Sequence, residues 1–233
     1  MSMDLLVIIP AFNEQETLRM VIRGIRERLP QADILVVNDG STDTTGAIAR
    51  EEKALVLEHP YNMGIGATMQ TGLQYAFTHG YPIAIQNDGD GQHNPECLPS
   101  LIQPIVEGRA NLVIGSRFLS SGGFKSKFIR KMGIRYFTCL VRVFTGKRVT
   151  DPTSGFRAMD RKVIELFSEE YPSDYPEVEA LLSAHKKGLT FQEVPTVMRH
   201  RQGGTSSIGV LSALYYMIKV TLSISIGFFR RTK

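Results

Sequence analysis

Cysteine is scarce in this chain. Its two thiols, Cys97 and Cys139, lie far apart and match no zinc or redox spacing, which excludes a disulfide framework and points to reduced thiols. No Walker A sequence is present, so a P-loop nucleotide site is excluded. Nothing ahead of the strand-like run Leu5–Ile9 has the basic stretch and cleavage site of a secretory signal, so the chain is expected to stay in the cytoplasm. Internal repeats and low-complexity tracts are lacking too. The most telling absence is of acidic residues. Between Arg117 and Thr150 there are nine basic residues and no acidic one, and from Val194 to the end six and none. Residues 1–116 carry seven Lys and Arg against fourteen Asp and Glu, net −7; residues 117–233 carry twenty against nine, net +11. The overall charge of +4 conceals that division. Acid-free basic stretches suit a polyanionic surface or a phosphate partner, nucleic acid and anionic lipid both qualifying.

What is present is a globular chain, 42% hydrophobic and 21% charged, with 233 residues for one large domain or a domain with an appendage. Its first half alternates strand and helix patterns. Leu5–Ile9 is a continuous apolar run, as in a strand buried on both faces, and ends at Pro10. Leu18, Val21, Ile22, Ile25 and Leu29 form one helical stripe. Strands are expected at 34–37, 54–57, 82–86, 111–114 and 190–194, and helices at 44–53, 67–78 and 96–107. This order implies an α/β fold, a mostly parallel central sheet flanked by helices, with ligands beyond the carboxyl ends of the strands. Two later segments differ in texture. Within 124–145 a helix sets Phe128, Tyr136 and Phe144 beside Lys131, Arg135 and Arg142, a pattern of membrane-interface helices and equally of a helix packed on a core. Residues 208–229 carry one charge, Lys219, and as a helix would be roughly 33 Å long. Ser212, Lys219 and Ser223 share one of its faces, so it is expected to lie in the interface or pack on a partner rather than span.

Three polar clusters fall at the strand ends. The tract Ile83-Ala84-Ile85-Gln86-Asn87-Asp88-Gly89-Asp90-Gly91-Gln92-His93 runs a strand into two carboxylates one residue apart, which suit a hard divalent cation or a plain surface turn. In Pro10-Ala11-Phe12-Asn13-Glu14, Phe12 can flank a base and Glu14 accept from a base or ribose, or the segment simply starts a helix. In Asn38-Asp39-Gly40-Ser41-Thr42-Asp43, Asp39 can meet a base edge while Asp43 caps the next helix. Asn62-Met63-Gly64-Ile65-Gly66 adds a glycine-rich approach to a helix N-terminus, with Gly64 a natural phosphate neighbour.

These segments, with V-I-G-S-R-F at 113–118, D-P-T-S-G-F-R at 151–157 and E-V-P-x-x-x-R-H-R-Q-G-G-T-S at 193–206, resemble in order the family-2 inverting glycosyltransferases of the GT-A fold. Within them the chain looks most like polyprenyl-phosphate hexose synthases of the dolichyl-phosphate mannose synthase type. The resemblance implies a GT-A domain over residues 1–207 and a membrane-associating segment over 208–233. It implies that Pro10, Phe12, Glu14 and Asp39 hold a nucleoside, that Asp88 sits by the ribose and the metal, and that Asp90 and Gln92 complete a Mg²⁺ or Mn²⁺ site. Arg117 would meet an acceptor phosphate, helped by Arg130 or Arg135, and Arg201 and Ser206 would reach phosphate from the loop 199–207. Asn38 stands where many members have Asp. The implied partners are a nucleotide-sugar donor, UDP-linked in preference to GDP-linked with GDP-mannose left open, an undecaprenyl-type polyprenyl phosphate, an anionic membrane surface at its cytoplasmic face, and a small membrane protein. Nucleic acid is not expected, because it leaves the acidic cluster without a role. The alternative is a family-2 enzyme extending a cell-surface glycan. A sugar-hydroxyl acceptor needs a general base, for which Asp151 is the candidate unless it is a turn residue before Pro152.

Overall fold

Strand β1 (Leu5–Ala11) is the axis of the fold, because its apolar residues are buried on both faces. The computed structural model describes residues 4–119, 128–172 and 176–199 together with Lys219 and Thr221, and only the backbone of 128–130. After β1 come α1 (Leu18–Arg28), β2 (Asp33–Asn38), α2 (Thr45–Glu51), β3 (Leu55–Glu58), α3 (Ile65–Thr78) and β4 (Ile83–Gln86). A one-turn 3-10 helix at Pro95–Cys97, started by the Asn94 side chain, leads into α4 (Leu98–Val106) and β5 (Leu112–Ser116). Then follow α5 (Phe128–Thr145), β6 (Arg157–Asp160), α6 (Arg161–Glu169), α7 (Pro176–Lys186) and β7 (Phe191–Pro195). The sheet order is β3-β2-β1-β4-β6-β5-β7. Every neighbouring pair is parallel except those of β6, which runs antiparallel to β4 and β5.

The period of two along β1 sorts its side chains into two cores. Leu5, Val7 and Ile9 pack with Leu18, Val21, Ile22 and Ile25 of α1 and with Leu98 and Leu101 of α4. Leu6 and Ile8 pack with Met69 and Leu73 of α3, Phe137 and Val141 of α5, Phe167 of α6 and Leu181 of α7. Each fully buried aliphatic side chain stabilises the fold by about 1.5–3 kcal/mol, so the α1 stripe alone anchors that helix. Helix α3 lies close enough to β1 that a Cβ on Gly72 would come 2.4 Å from Ile8 Cγ2.

The α/β architecture expected from the alternating pattern is present, with element ends shifted by a residue or two. The exceptions lie within 156–189, where neither α6 nor α7 nor the strand β6 was marked. Strand β6 is only four residues, Arg-Ala-Met-Asp, with a charge at each end. It pairs hairpin-fashion with β5 through Ile114 and Arg157, yet the two are separated by the whole of α5. The described part of the 124–145 helix buries Ile134, Phe137 and Val141 and exposes Met132, Tyr136 and Val143. Lys131, Arg135 and Arg142 are exposed with them. No helix among the described residues is long and apolar enough to cross a membrane. The helix expected at 208–229 lies outside the described residues apart from Lys219 and Thr221; Thr221 Oγ1 is 2.5 Å from the Tyr136 hydroxyl on α5.

Candidate active site

The polar loops after β1, β2 and β4 meet at the carboxyl edge of the sheet. Asp39 N–H donates to Ala11 O at 2.9 Å, and Asn87 N–H to Ile8 O at 3.0 Å. The first two loops are stapled reciprocally. Asn13, in the left-handed region at φ 56°, donates its N–H to Ser41 Oγ at 3.0 Å and accepts Thr42 N–H on Oδ1 at 2.9 Å. Glu14 N–H donates to Thr45 Oγ1 at 2.9 Å, and Asp43 accepts the N–H groups of Gln15 and Thr45. Phe12 is left outward, 44% exposed.

Asp39 is nearly buried and takes three donors. Oδ1 accepts His59 Nδ1 at 2.7 Å and Met63 N–H at 2.9 Å, while Oδ2 accepts Gly64 N–H at 2.9 Å. Gly64 holds φ 89°, a conformation open to glycine at little cost, and so aims its N–H at the carboxylate. Asn38 donates its amide to Glu58 Oε2 at 2.9 Å across the β2–β3 pair. An Asp at 38 would set two carboxylates against each other there, which gives the departure from the family pattern a local reason.

The β4 loop is clamped from both sides. Thr17, on the turn into α1, donates its hydroxyl to Gly89 O at 2.7 Å, within reach of the Glu14 carboxylate. A Cβ on Gly89 would lie 3.4 Å from Pro10 O, and one on Gly91, φ 72°, only 2.8 Å from Met20 Cε. Asp88 Oδ2 is 2.9 Å from Nε2 of His93, whose buried ring stacks on Phe156 at 4.7 Å. Gly155 approaches from below; a Cβ there would sit 3.1–3.2 Å from both Asp88 oxygens. Burial alone would push the Asp88 carboxyl up, but His93, Gln86 and Arg117 outweigh it and hold the group below the usual carboxylate range. Asp90 Oδ1 accepts Gln92 N–H at 3.0 Å. No cluster of three His, Cys, Asp or Glu side chains is gathered among the described residues. Asp88, Asp90 and the amide of Gln92 are nevertheless an all-oxygen donor set, one carboxylate of which is held ionised, and that chemistry fits Mg²⁺ or Mn²⁺.

Across the sheet, Arg117 and Asp151 form a buried bidentate pair: Nε to Oδ2 and Nη2 to Oδ1, both 2.6 Å. Arg117 N–H also reaches Oδ2 at 3.1 Å, and Thr153 Oγ1 accepts from Nη2 at 3.0 Å. Glu193 of β7 holds this arrangement from behind by accepting the N–H groups of Thr150 and Asp151, each at 2.8 Å. Past β7 the chain crosses to the β4 loop. Arg199 N–H donates to Gln92 O at 2.8 Å, Met198 bridges His93, and Arg199 Nη2 donates to Asn94 Oδ1 at 3.0 Å.

The structure thus joins Pro10, Glu14, Asp88, Asp90 and Gln92 around one loop, Asp39 with Gly64, and Arg117 with Asp151. Arg135 is exposed on α5. The Arg130 side chain, Arg201 and Ser206 lie outside the described residues. Residue patterns alone had not singled out several participants. His93 sits within the D-G-D-G-Q-H motif, and His59 three residues before the glycine-rich turn. Arg157 of β6, 1% exposed, ties the 151–155 loop through Pro152 O and Ser154 O. Glu177 opens α7 with its carboxyl pushed up by burial and drawn back by Arg157. Only His93 and Arg157 had a signal, their place inside a motif.

A family model described as glycosyl transferase family 2 matches residues 6–167. The chain is 32% identical over 212 residues to a UDP-N-acetylglucosamine–dolichyl-phosphate N-acetylglucosaminyltransferase of Methanococcus voltae, covering 81% of this chain and 83% of the relative. It is 31% identical over 225 residues to the polyprenol monophosphomannose synthase of Mycolicibacterium smegmatis, covering 92% and 84%. In structure it is similar to glucosyl-3-phosphoglycerate synthase from Mycobacterium tuberculosis in complex with Mn²⁺, UDP and glucosyl-3-phosphoglycerate. The TM-score is 0.73 and the identity 23%, over 96% of this chain and 79% of that one. The sheet order, the loops at its carboxyl edge and these likenesses agree on the GT-A fold, and the chain belongs to glycosyl transferase family 2.

Proposed function

We propose that the protein transfers a hexose from a nucleoside diphosphate sugar, UDP-linked in preference to GDP-linked, to a polyprenyl phosphate at the cytoplasmic face of the cell membrane, inverting the anomeric carbon. The observation that carries the choice of acceptor is the state of Asp151. The one carboxylate that sequence reasoning offered as a base is fully buried and has both oxygens bonded to Arg117. A sugar hydroxyl needs a base in the transition state, whereas a phosphate monoester, with its second pKa near about 6, arrives already anionic. The names of the relatives support the same acceptor class.

In the reaction a phosphate oxygen of the lipid attacks the anomeric carbon. The bond from that carbon to the donor diphosphate breaks, and its electron pair leaves on the nucleoside diphosphate. Asp88, Asp90 and Gln92 would hold the divalent cation, which supplies charge neutralisation at the diphosphate when bound. His93 and Gln86 keep Asp88 ionised for that task. Phe12 and the Asp39–Gly64 corner shape the nucleoside end of the site. On the acceptor side the buried Arg117–Asp151 pair fixes the loop that follows β5 rather than offering a free cation, and Arg201 and Ser206 are assigned to phosphate from the chain that follows Arg199. The exposed Met132, Tyr136 and Val143 beside Lys131, Arg135 and Arg142 suit attachment of α5 to an anionic membrane, a small membrane protein being a further partner there.

The test is to incubate the protein with radiolabelled UDP-glucose, UDP-N-acetylglucosamine or GDP-mannose, Mg²⁺ or Mn²⁺, and either undecaprenyl phosphate or a glycan acceptor. Label is expected in the organic phase with the lipid acceptor. Label entering only the glycan would overturn the proposal.

A further inference from the structure

His59 has no role in the reading above, yet it is bonded at its backbone and at both ring nitrogens. It follows β3 directly, and its N–H donates to Asn38 O at 2.9 Å. Its ring lies between two elements. Nδ1 is 2.7 Å from Asp39 Oδ1, and Nε2 is 3.0 Å from Thr71 Oγ1 on α3. Only 9% of the side chain is exposed, and 5% of the Asp39 side chain. With Asp39 a carboxylate, Nδ1 carries the hydrogen, and the Thr71 hydroxyl is free to donate to Nε2.

The bond changes what Asp39 can offer a nucleoside. A carboxylate has about four acceptor sites. On Oδ1 both are taken, by His59 and by Met63 N–H; on Oδ2 one is taken by Gly64 N–H. One site on Oδ2 remains. Without His59 the carboxylate keeps only the two backbone donors of the 63–64 turn and loses the side-chain bond that ties it to α3 through Thr71, so the direction of the remaining site is set less firmly. The Gly40 backbone, φ 68°, is pressed against Tyr61, its Cβ position 2.5 Å from the Tyr61 carbonyl carbon, so the surrounding loops cannot shift to follow it.

We propose that His59 is a positioning residue of the donor site: it holds Asp39 so that one lone pair of Oδ2 faces an N–H on the edge of the donor nucleobase. This rests on the glycosyltransferase reading above, and the experiment separates the two. Asparagine at 59 can set its amide N–H where Nδ1 lies and keep the Asp39 bond. Glutamine reaches the Nε2 position and keeps only the Thr71 side.

The full chain and its His59→Asn, His59→Gln and His59→Ala variants are titrated calorimetrically with UDP and with GDP in the presence of Mn²⁺. Thermal unfolding and the donor KM and kcat are measured on the same samples. His59→Asn is expected to bind within about threefold of the parent, and His59→Gln and His59→Ala about tenfold more weakly, the loss of one charge-assisted hydrogen bond, with the change in KM rather than kcat. A parent that binds neither nucleotide overturns the functional reading and this inference with it. A parent that binds, with His59→Gln matching it or with Asn and Gln equally impaired, overturns the inference alone. So does a loss of affinity that tracks the unfolding temperature across all three variants.

Discussion

Two carboxylates one residue apart at the end of β4 have different surroundings, and their substitutions should read differently. Asp88 is braced by His93 and by the close backbone of Gly155, while Asp90 is bonded to its own loop through Gln92 N–H. Asp90→Ala is expected to lower sugar transfer by at least about 10²-fold, the scale of losing a group that stabilises developing charge, with the circular dichroism melting curve little changed. Full transfer by that variant would remove Asp90 from the site. Asp151 belongs to the opposite case. Removing one partner of a buried ion pair leaves the other charge uncompensated, so Asp151→Ala should cost about 3–5 kcal/mol in urea unfolding. A cost under about 1 kcal/mol would mean that water reaches Arg117, and a base role for residue 151 would be open again. The pair was not legible in the sequence, where Asp151 offered a base or a turn and Arg117 a phosphate contact. Thirty-four residues separate them, and only the return of β6 beside β5 brings them together. Asp39 teaches the same. Its motif announces a ligand-facing acid, but nothing local shows that His59, Met63 and Gly64 claim three of its acceptor sites.

Elements whose apolar period is long and regular were read correctly from the pattern: β1, α1 and α3 fall close to where the spacing puts them. The four-residue β6 was missed because register with two neighbours, rather than its own residues, makes it a strand. Helix glycines give a contrast that tests the packing. Gly72→Ala drives a methyl against Ile8 and should destabilise by about 1–3 kcal/mol. Gly133→Ala on α5 meets nothing within 4 Å and should stabilise by about 0.5–1 kcal/mol. Equal effects in thermal unfolding would contradict the tight seat of α3 on β1. Between α1 and α2, the Glu52 carboxyl is held below its ordinary value by hydrogen bonds from Arg23 and Arg19, against a smaller desolvation effect. For a depressed acid the stabilisation is present above the unfolded-state pKa and fades as pH falls through the lower folded value. The stability gap between the parent chain and Glu52→Gln should therefore narrow on acidification below the usual glutamate range, as urea titrations at stepped pH would show. A gap independent of pH would contradict the ion pairing.

At the scale of the molecule, the charge division read from composition has a structural counterpart. The acidic loops lie after β1, β2 and β4, while α5 carries exposed Lys131, Arg135 and Arg142. If that helix meets the membrane as proposed, flotation with vesicles containing anionic lipid should recover the protein at low salt. Recovery should fall as salt shortens the Debye length from about 10 Å at 0.1 M toward about 3 Å at 1 M. Protein that stays at the bottom of the gradient at low salt would exclude α5 and the C-terminal segment as an anchor.

The antiparallel strand β6 carries a consequence for how such a chain can diversify. The excursion from Arg117 to Phe156 leaves and re-enters the sheet at adjacent strands, where Gly115 N–H donates to Phe156 O at 2.8 Å. Its two ends are therefore joined by the ladder itself, and lengthening it adds only about 0.6 kcal/mol of closure entropy per doubling. The segment is closed on the sheet by that ladder, yet Phe137 and Val141 share a core with Leu6 and Ile8, so it can be exchanged for that of a relative, with the strands leading to Phe12, Asp39 and Asp88 keeping their register, where those two buried positions stay apolar.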